Sequence, residues 1–131
     1  KRFKSKNIIQ TDSKTAELIK YMNNTFFATK VSMMNEFKLL CDKIGANWED
    51  AIKGFSSDGR VGDSHLNVPG HDGKLGYGGT CFPKDVNAIL SFSKKYGIEL
   101  NTIIGGWKTN QKVRPEKDWE KKEGRSVSFK K

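Results

Sequence analysis

Apolar residues in segment 14–44 recur at steps of three, four and seven. Ile19, Met22, Phe26, Met33, Phe37, Leu40 and Ile44 fall on one stripe, and Lys20, Lys30, Lys38 and Lys43 lie mostly outside it. This spacing predicts one long helix. Asp12 or Ser13 is placed to accept from its first free amides, and Gly45 supplies a left-handed residue at its far end. At 1.5 Å per residue such a helix is about 45 Å long, more than a lone small domain usually covers. Part of it is therefore expected to pack against another chain. A second apolar line through Leu18, Phe27, Met34 and Cys41 widens the expected buried face.

Beyond Gly45, Asn47 is placed to cap a short helix, with Glu49 and Asp50 in its first turn and Gly54 as its stop. From Phe55 to Thr80 the turn signals Asp58-Gly59, Val68-Pro69-Gly70 and Asp72-Gly73 exclude a continuous helix. A loop of that length in a compact domain points to function. Pro83 suits the first position of a helix over 83–96, and Asn101 caps another that runs to about Gln111, weakened by Gly105-Gly106. From Arg114 onward the pattern is charged and aperiodic, with Trp119 as an anchor, and is expected to dock loosely. With no repeat and no strand–helix alternation, the fold class is all-α. The chain divides into a basic lead-in at 1–12, a helical domain at 13–111 and a charged tail at 112–131.

The 131 residues suffice for one domain with a modest core. No apolar stretch approaches the roughly 20 residues of a membrane span, and no basic-then-apolar leader opens the sequence, so no membrane association is expected. Lys1 at the start fits a truncation or a split gene product. The net charge of +9 raises nucleic acid as a partner, and its distribution argues against it. Residues 1–6 carry four Lys/Arg, residues 105–131 carry nine against four acids, and the middle balances at eleven against eleven. Cys41 and Cys81 form no paired spacing of the zinc-binding or redox kind, which fits a reducing cytoplasm. His65 and His71 stand six apart without a third ligand, so no metal is expected.

Cys81 directly precedes Phe82-Pro83, at the amino-terminal end of the third predicted helix. Free amides and the helix dipole there favour thiolate, and Lys84 adds positive charge. Asp85, four residues on, shares its side of the helix, as a base or as a group that positions water; its negative charge opposes the thiolate. Gly76, Gly78 and Gly79 let the backbone approach a ligand closely. Taken alone, the same residues fit a small buried cysteine after a turn. Cys41, at an apolar mid-helix position, is core.

Gly76-Tyr77-Gly78-Gly79-Thr80-Cys81-Phe82-Pro83-Lys84-Asp85 resembles a motif of the UDP-glucose/GDP-mannose dehydrogenase family, in its central domain. Ala16-Glu17-Leu18-Ile19-Lys20-Tyr21 with Asn23-Asn24-Thr25-Phe26, and Asp58-Gly59-Arg60-Val61-Gly62, extend the resemblance from about Asp12 to Tyr96. It implies a helical dimerisation domain like the C-terminal domain of 6-phosphogluconate dehydrogenase, with two copies of the long helix 14–44 forming a homodimer. Enzymes of this family oxidise the C6 alcohol of a nucleotide sugar to a carboxylate for polysaccharide biosynthesis, with two NAD⁺ and an enzyme-bound thioester.

By that resemblance Cys81 is the nucleophile, Lys20 and Asn24 stabilise an oxyanion or hold water, and Asp85 helps activate the hydrolytic water. Lys84 borders the cofactor. Tyr77, Gly78, Gly79 and Phe82 line the substrate loop, and Arg60 reaches into a neighbouring subunit's nucleotide-sugar site. Read alone, Lys20 and Asn24 are solvated helix residues and Arg60 a turn arginine.

Two departures stand out. The stretch 67–75 is longer than the substrate loop of many relatives, which leaves the nucleotide sugar open. Gly76-x-Gly78-x-x-Cys81 is also no dinucleotide fingerprint, since its third position is cysteine and no βαβ unit surrounds it. NAD is therefore expected to bind mainly to a Rossmann domain absent from this chain, in cis or in trans. A nucleotide-binding domain is expected on each side in the parent protein, and this chain alone is expected to be inactive. Two further readings remain: a stand-alone dimerisation module without turnover, and basic ends that act as an electrostatic arm.

Overall fold

The structure, a computed structural model, describes residues 8–121. Most of the basic lead-in and the tail beyond Lys121 lie outside the described residues. Those described hold four helices and no strand: α1 (Ser13–Ile44), α2 (Trp48–Ser56), α3 (Cys81–Lys94) and α4 (Asn101–Val113). The all-α expectation is met.

Helix α1 begins where Asp12 Oδ1 accepts from the amides of Lys14 and Thr15, at 2.9 and 3.1 Å. It ends at Gly45, whose φ of 72° turns the chain so that the Ala46 amide reaches the Cys41 carbonyl at 3.0 Å. Helices α3 and α4 both pack on α1. The crossing with α4 is close because its residues are small. Ala28 and Ser32 are buried there, and the Ser32 hydroxyl donates to the Gly106 carbonyl at 2.7 Å. Gly105-Gly106, read as a weak point of α4, serves this approach, and tertiary packing outweighs helix propensity.

The main core joins Ala28, Tyr77, Val86, Trp107 and Trp119, with Phe82 and Ile103 against it. A smaller cluster of Met34, Leu66 and Val68 anchors the long loop between α2 and α3.

Several boundaries differ from expectation. Helix α2 passes through Gly54 to Ser56, and α4 reaches Val113 with Leu100, not Asn101, at its cap. Helix α3 starts at Cys81 and stops at Lys94, so Pro83 is its third residue, still within the first turn where a missing amide costs no helical bond. The segment after α4 is no loose appendage as far as it is described: Arg114 is 2% exposed and Trp119 fully buried.

The burial of α1 also departs from simple expectation. Its strongest apolar stripe, from Ile19 through Phe26 and Phe37 to Ile44, stays on the surface of this chain, with Phe26 65% exposed. The inward face is Thr25, Ala28, Ser32, Met34, Asn35 and Cys41: Met34 and Cys41 of the second apolar line are buried as expected, among small and polar residues, while Leu18 of that line is exposed.

Candidate active site

A cleft of about 670 Å³ opens between the long loop, the glycine segment 76–79 and the start of α3. Cys81, the first residue of α3, is exposed on its wall, which half-buried Gly78, Gly79 and Phe82 also line. Tyr77 borders the same space, yet its ring belongs to the core, 6.2 Å from Trp107 and edge-on to Phe82 at 5.8 Å. That burial pushes the phenol far above its ordinary range, which keeps it un-ionised.

One turn into α3, Asp85 is 1% exposed. Its Oδ2 accepts from Asn24 Nδ2 on α1 at 2.5 Å, and its Oδ1 lies 3.5 Å from Lys84 Nζ. The fold thus joins Asn24, Asp85 and Lys84 into one group directly behind the cysteine's helical turn. A buried carboxylate needs such partners, because desolvation without them is costly.

Lys20 sits on the exposed side of α1, its Nζ 5.6 Å from the Tyr21 ring centroid, and no contact ties it to the Asn24–Asp85 pair. Arg60 is exposed on the long loop, where Nε and Nη2 donate to Asp58 Oδ2 at 2.7 and 2.5 Å. Within one chain it does not line the cleft. Cys41 is buried, its thiol donating to the Ala46 carbonyl at 3.2 Å.

Sequence reasoning missed other parts of the cleft. His65 stacks on Phe27 at 4.4 Å and lies 5.5 Å from Phe82. Burial, with Lys30 and His71 nearby, holds its imidazole below the ordinary histidine range and favours the neutral form. Arg114, Asp118 and Asp72 meet behind the glycines, where the Arg114 guanidinium holds both carboxyls below their ordinary value. The i, i+4 spacing of Arg114 and Asp118 was the one signal for that pair.

Among the described residues no three His, Cys, Asp or Glu side chains converge to hold a metal ion, and no helix is long and apolar enough to cross a membrane.

With this geometry in view, comparison with known proteins defines the class. Residues 14–112 match the central domain of the UDP-glucose/GDP-mannose dehydrogenase family, and the chain belongs to that family. It is 42% identical over 107 residues to a UDP-glucose 6-dehydrogenase of Rickettsia felis, covering 82% of this chain and 22% of the relative. It is 44% identical over 86 residues to UDP-glucose 6-dehydrogenase YwqF of Bacillus subtilis, covering 66% and 18%. To a UDP-glucose 6-dehydrogenase of Rhizobium meliloti it is 43% identical over 96 residues, covering 73% and 21%. The chain spans about a fifth of the length of these curated relatives.

Proposed function

We propose that this chain is the cysteine-bearing, dimerising domain of a cytoplasmic NAD-dependent nucleotide-sugar 6-dehydrogenase acting on UDP-glucose or a close analogue. The observation that carries the reading is Cys81, exposed on the cleft at the start of α3, with the Asn24–Asp85–Lys84 group one turn behind it. A thiol at a helix start meets free amides, and the cleft admits a sugar to it.

The described residues do not fit a dinucleotide. They contain no strand, and their glycine motif runs into Cys81 where a fingerprint needs its third glycine. NAD⁺ supplies the oxidising power from a nucleotide-binding domain in the same polypeptide or in a partner.

Two covalent steps fall to this chain. In the first, the Cys81 sulfur adds to the C6 aldehyde: an S–C bond forms, the carbonyl π pair moves to oxygen, and that oxygen takes a proton to give a thiohemiacetal. In the second, water adds to the derived thioester and the C–S bond breaks, which releases the carboxylate and returns the thiol. Asn24 and Lys20 serve the oxyanion or the water, and Asp85 helps activate that water. Lys84 borders the cofactor side.

The exposed apolar stripe of α1 supports a homodimer through helix 14–44. Arg60, exposed and paired only within its own turn, then reaches the partner's cleft.

The test is NADH release on UDP-glucose with a nucleotide-binding domain supplied in cis or in trans. Turnover that Cys81→Ala abolishes is the expected result. Turnover retained in that variant would remove the nucleophile, and no NADH at all would leave a dimerisation module.

A further inference from the structure

The start of α3 lacks a local anchor. Its cap residue Thr80 has φ −111° and ψ −43°, with no side-chain bond to the helix amides. The backbone just before it is instead held from outside, residue by residue. The Gly76 amide donates to Asn35 Oδ1 of α1 at 3.0 Å. Tyr77 is held at both ends of its peptide by Asn110 of α4: its amide donates to Oδ1 at 2.7 Å, and its carbonyl accepts from Nδ2 at 2.9 Å. The Gly79 amide donates to Asp118 Oδ2 at 3.3 Å. Gly78 lies flat on the Arg114–Asp118 pair, where a Cβ would come within 2.5 Å of Arg114 Nη2 and of both Asp118 oxygens.

Four of the five Arg114 N–H donors go to this arrangement. Nε donates to Asp118 Oδ1 at 2.7 Å, Nη1 to the Leu75 carbonyl at 3.3 Å, and Nη2 to Asp72 Oδ2 at 2.7 Å. Arg114 borders the cleft, but each of its nitrogens donates to the protein and only 2% of its side chain is exposed, which favours action through the loop over direct contact with a ligand. Asp72 belongs to the long stretch 67–75, so the same guanidinium ties that stretch to the glycine segment.

We propose that Arg114 and Asp118, with Asn35 and Asn110, form a clamp that sets the backbone of residues 76–79 and, through it, the position of Cys81 on the cleft. Arg114 and Asp118 are then positioning residues for the reaction, and that part rests on the function proposed above. A buried ion pair adds little net stability against an apolar alternative, whereas its planar, forked geometry fixes neighbouring groups in place.

Arg114→Ala strands two carboxylates and risks unfolding, so the test uses Arg114→Lys, which keeps the charge and loses the fork, and Asp118→Asn, which keeps the shape and loses the charge. Residue-resolved hydrogen exchange of the 131-residue chain is expected to quicken about tenfold at the Tyr77 and Gly79 amides, with Ser32 of the α1 core unchanged. Unchanged exchange at 76–79, or a uniform rise along the whole chain, would overturn the clamp.

In the intact dehydrogenase containing the chain, kcat on UDP-glucose is expected to fall about tenfold while KM stays within about threefold. Local quickening with full turnover in both variants would overturn the positioning role. Absence of NADH from the unsubstituted enzyme would instead remove the proposed reaction, and the exchange data would still decide the clamp.

Discussion

Asn24 of α1 donates to the buried carboxylate of Asp85 on α3 at 2.5 Å, across the contact that seats the cysteine-bearing helix on the long one. The bond is structural, and under the proposed function it also holds Asp85 for the hydrolytic step. Asn24→Ala removes a donor from a buried acceptor, and is expected to cost about 1–3 kcal/mol in urea unfolding. Asp85→Asn keeps the shape and an oxygen for Asn24, so it should cost less stability while lowering turnover. A stability loss in Asp85→Asn equal to that in Asn24→Ala would show that the carboxylate charge, and not shape alone, holds the contact, against this expectation.

Cys81 and Cys41 differ in exposure and should differ in reactivity. One lines the cleft at a helix start, while the other is buried with its thiol bonded to the Ala46 carbonyl. Under native conditions iodoacetamide should modify Cys81 at least about tenfold faster, as mapped by peptide mass spectrometry. Equal, slow labelling of both would count against an accessible nucleophile.

The apolar stripe of α1 predicts an interface. Phe26, Phe37 and Ile44 are exposed, and the helix buries a different face within its own chain. Phe26→Glu with Phe37→Glu places two charges on that stripe without touching the inner face. Sedimentation should show a dimer for the unsubstituted chain and a monomer of unchanged helicity for the variant. A monomer in both cases would refute the dimer.

How much of this could be read beforehand depends on what each signal encodes. Periodicity with Asp12 and Gly45 at the ends located α1 closely, because caps and apolar spacing are local properties. It revealed the inward face only in part, through Met34 and Cys41, since Thr25, Ser32 and Asn35 owe their burial to bonds and close approach rather than to hydrophobicity. Cys81 was legible through its motif and its place before Pro83. Arg114 and Asp118 looked like solvated tail charges because their partners, Asp72 and the amide of Gly79, are distant in sequence. Long-range polar pairs leave little trace in a local pattern.

The glycine segment gives a prediction of its own. Gly76 has φ 66°, and a Cβ there would collide with Asn110 Oδ1, the atom that holds the Tyr77 amide. Gly76→Ala should therefore cost about 1–3 kcal/mol from backbone strain alone, with more from the collision. Gly79→Ala shares the strain, with φ 72°, and meets open space. The difference between the two in urea unfolding measures the Asn110 contact, and equal losses would argue against it.

Three groups around the cleft should contribute to the dependence of stability on pH. Asp118 and Asp72 are held below their ordinary 3.8 by hydrogen bonds from Arg114. Their contribution is present above that value and is lost as pH falls through the lower folded-state value, because the unfolded chain takes up protons first. His65 is held below its ordinary 6.5, mainly by desolvation. Its neutral form is the folded one, so stability is full above that value, declines as pH falls below it, and levels off at the folded-state value. The urea midpoint should therefore fall in two stages on acidification. His65→Asn, which tolerates the φ of 62° at that position and does not titrate, should flatten the first stage. Asp118→Asn should shrink the second, to which Asp72 still contributes, and leave the first intact. If His65→Asn left the first stage unchanged, the imidazole would not be the group that titrates there.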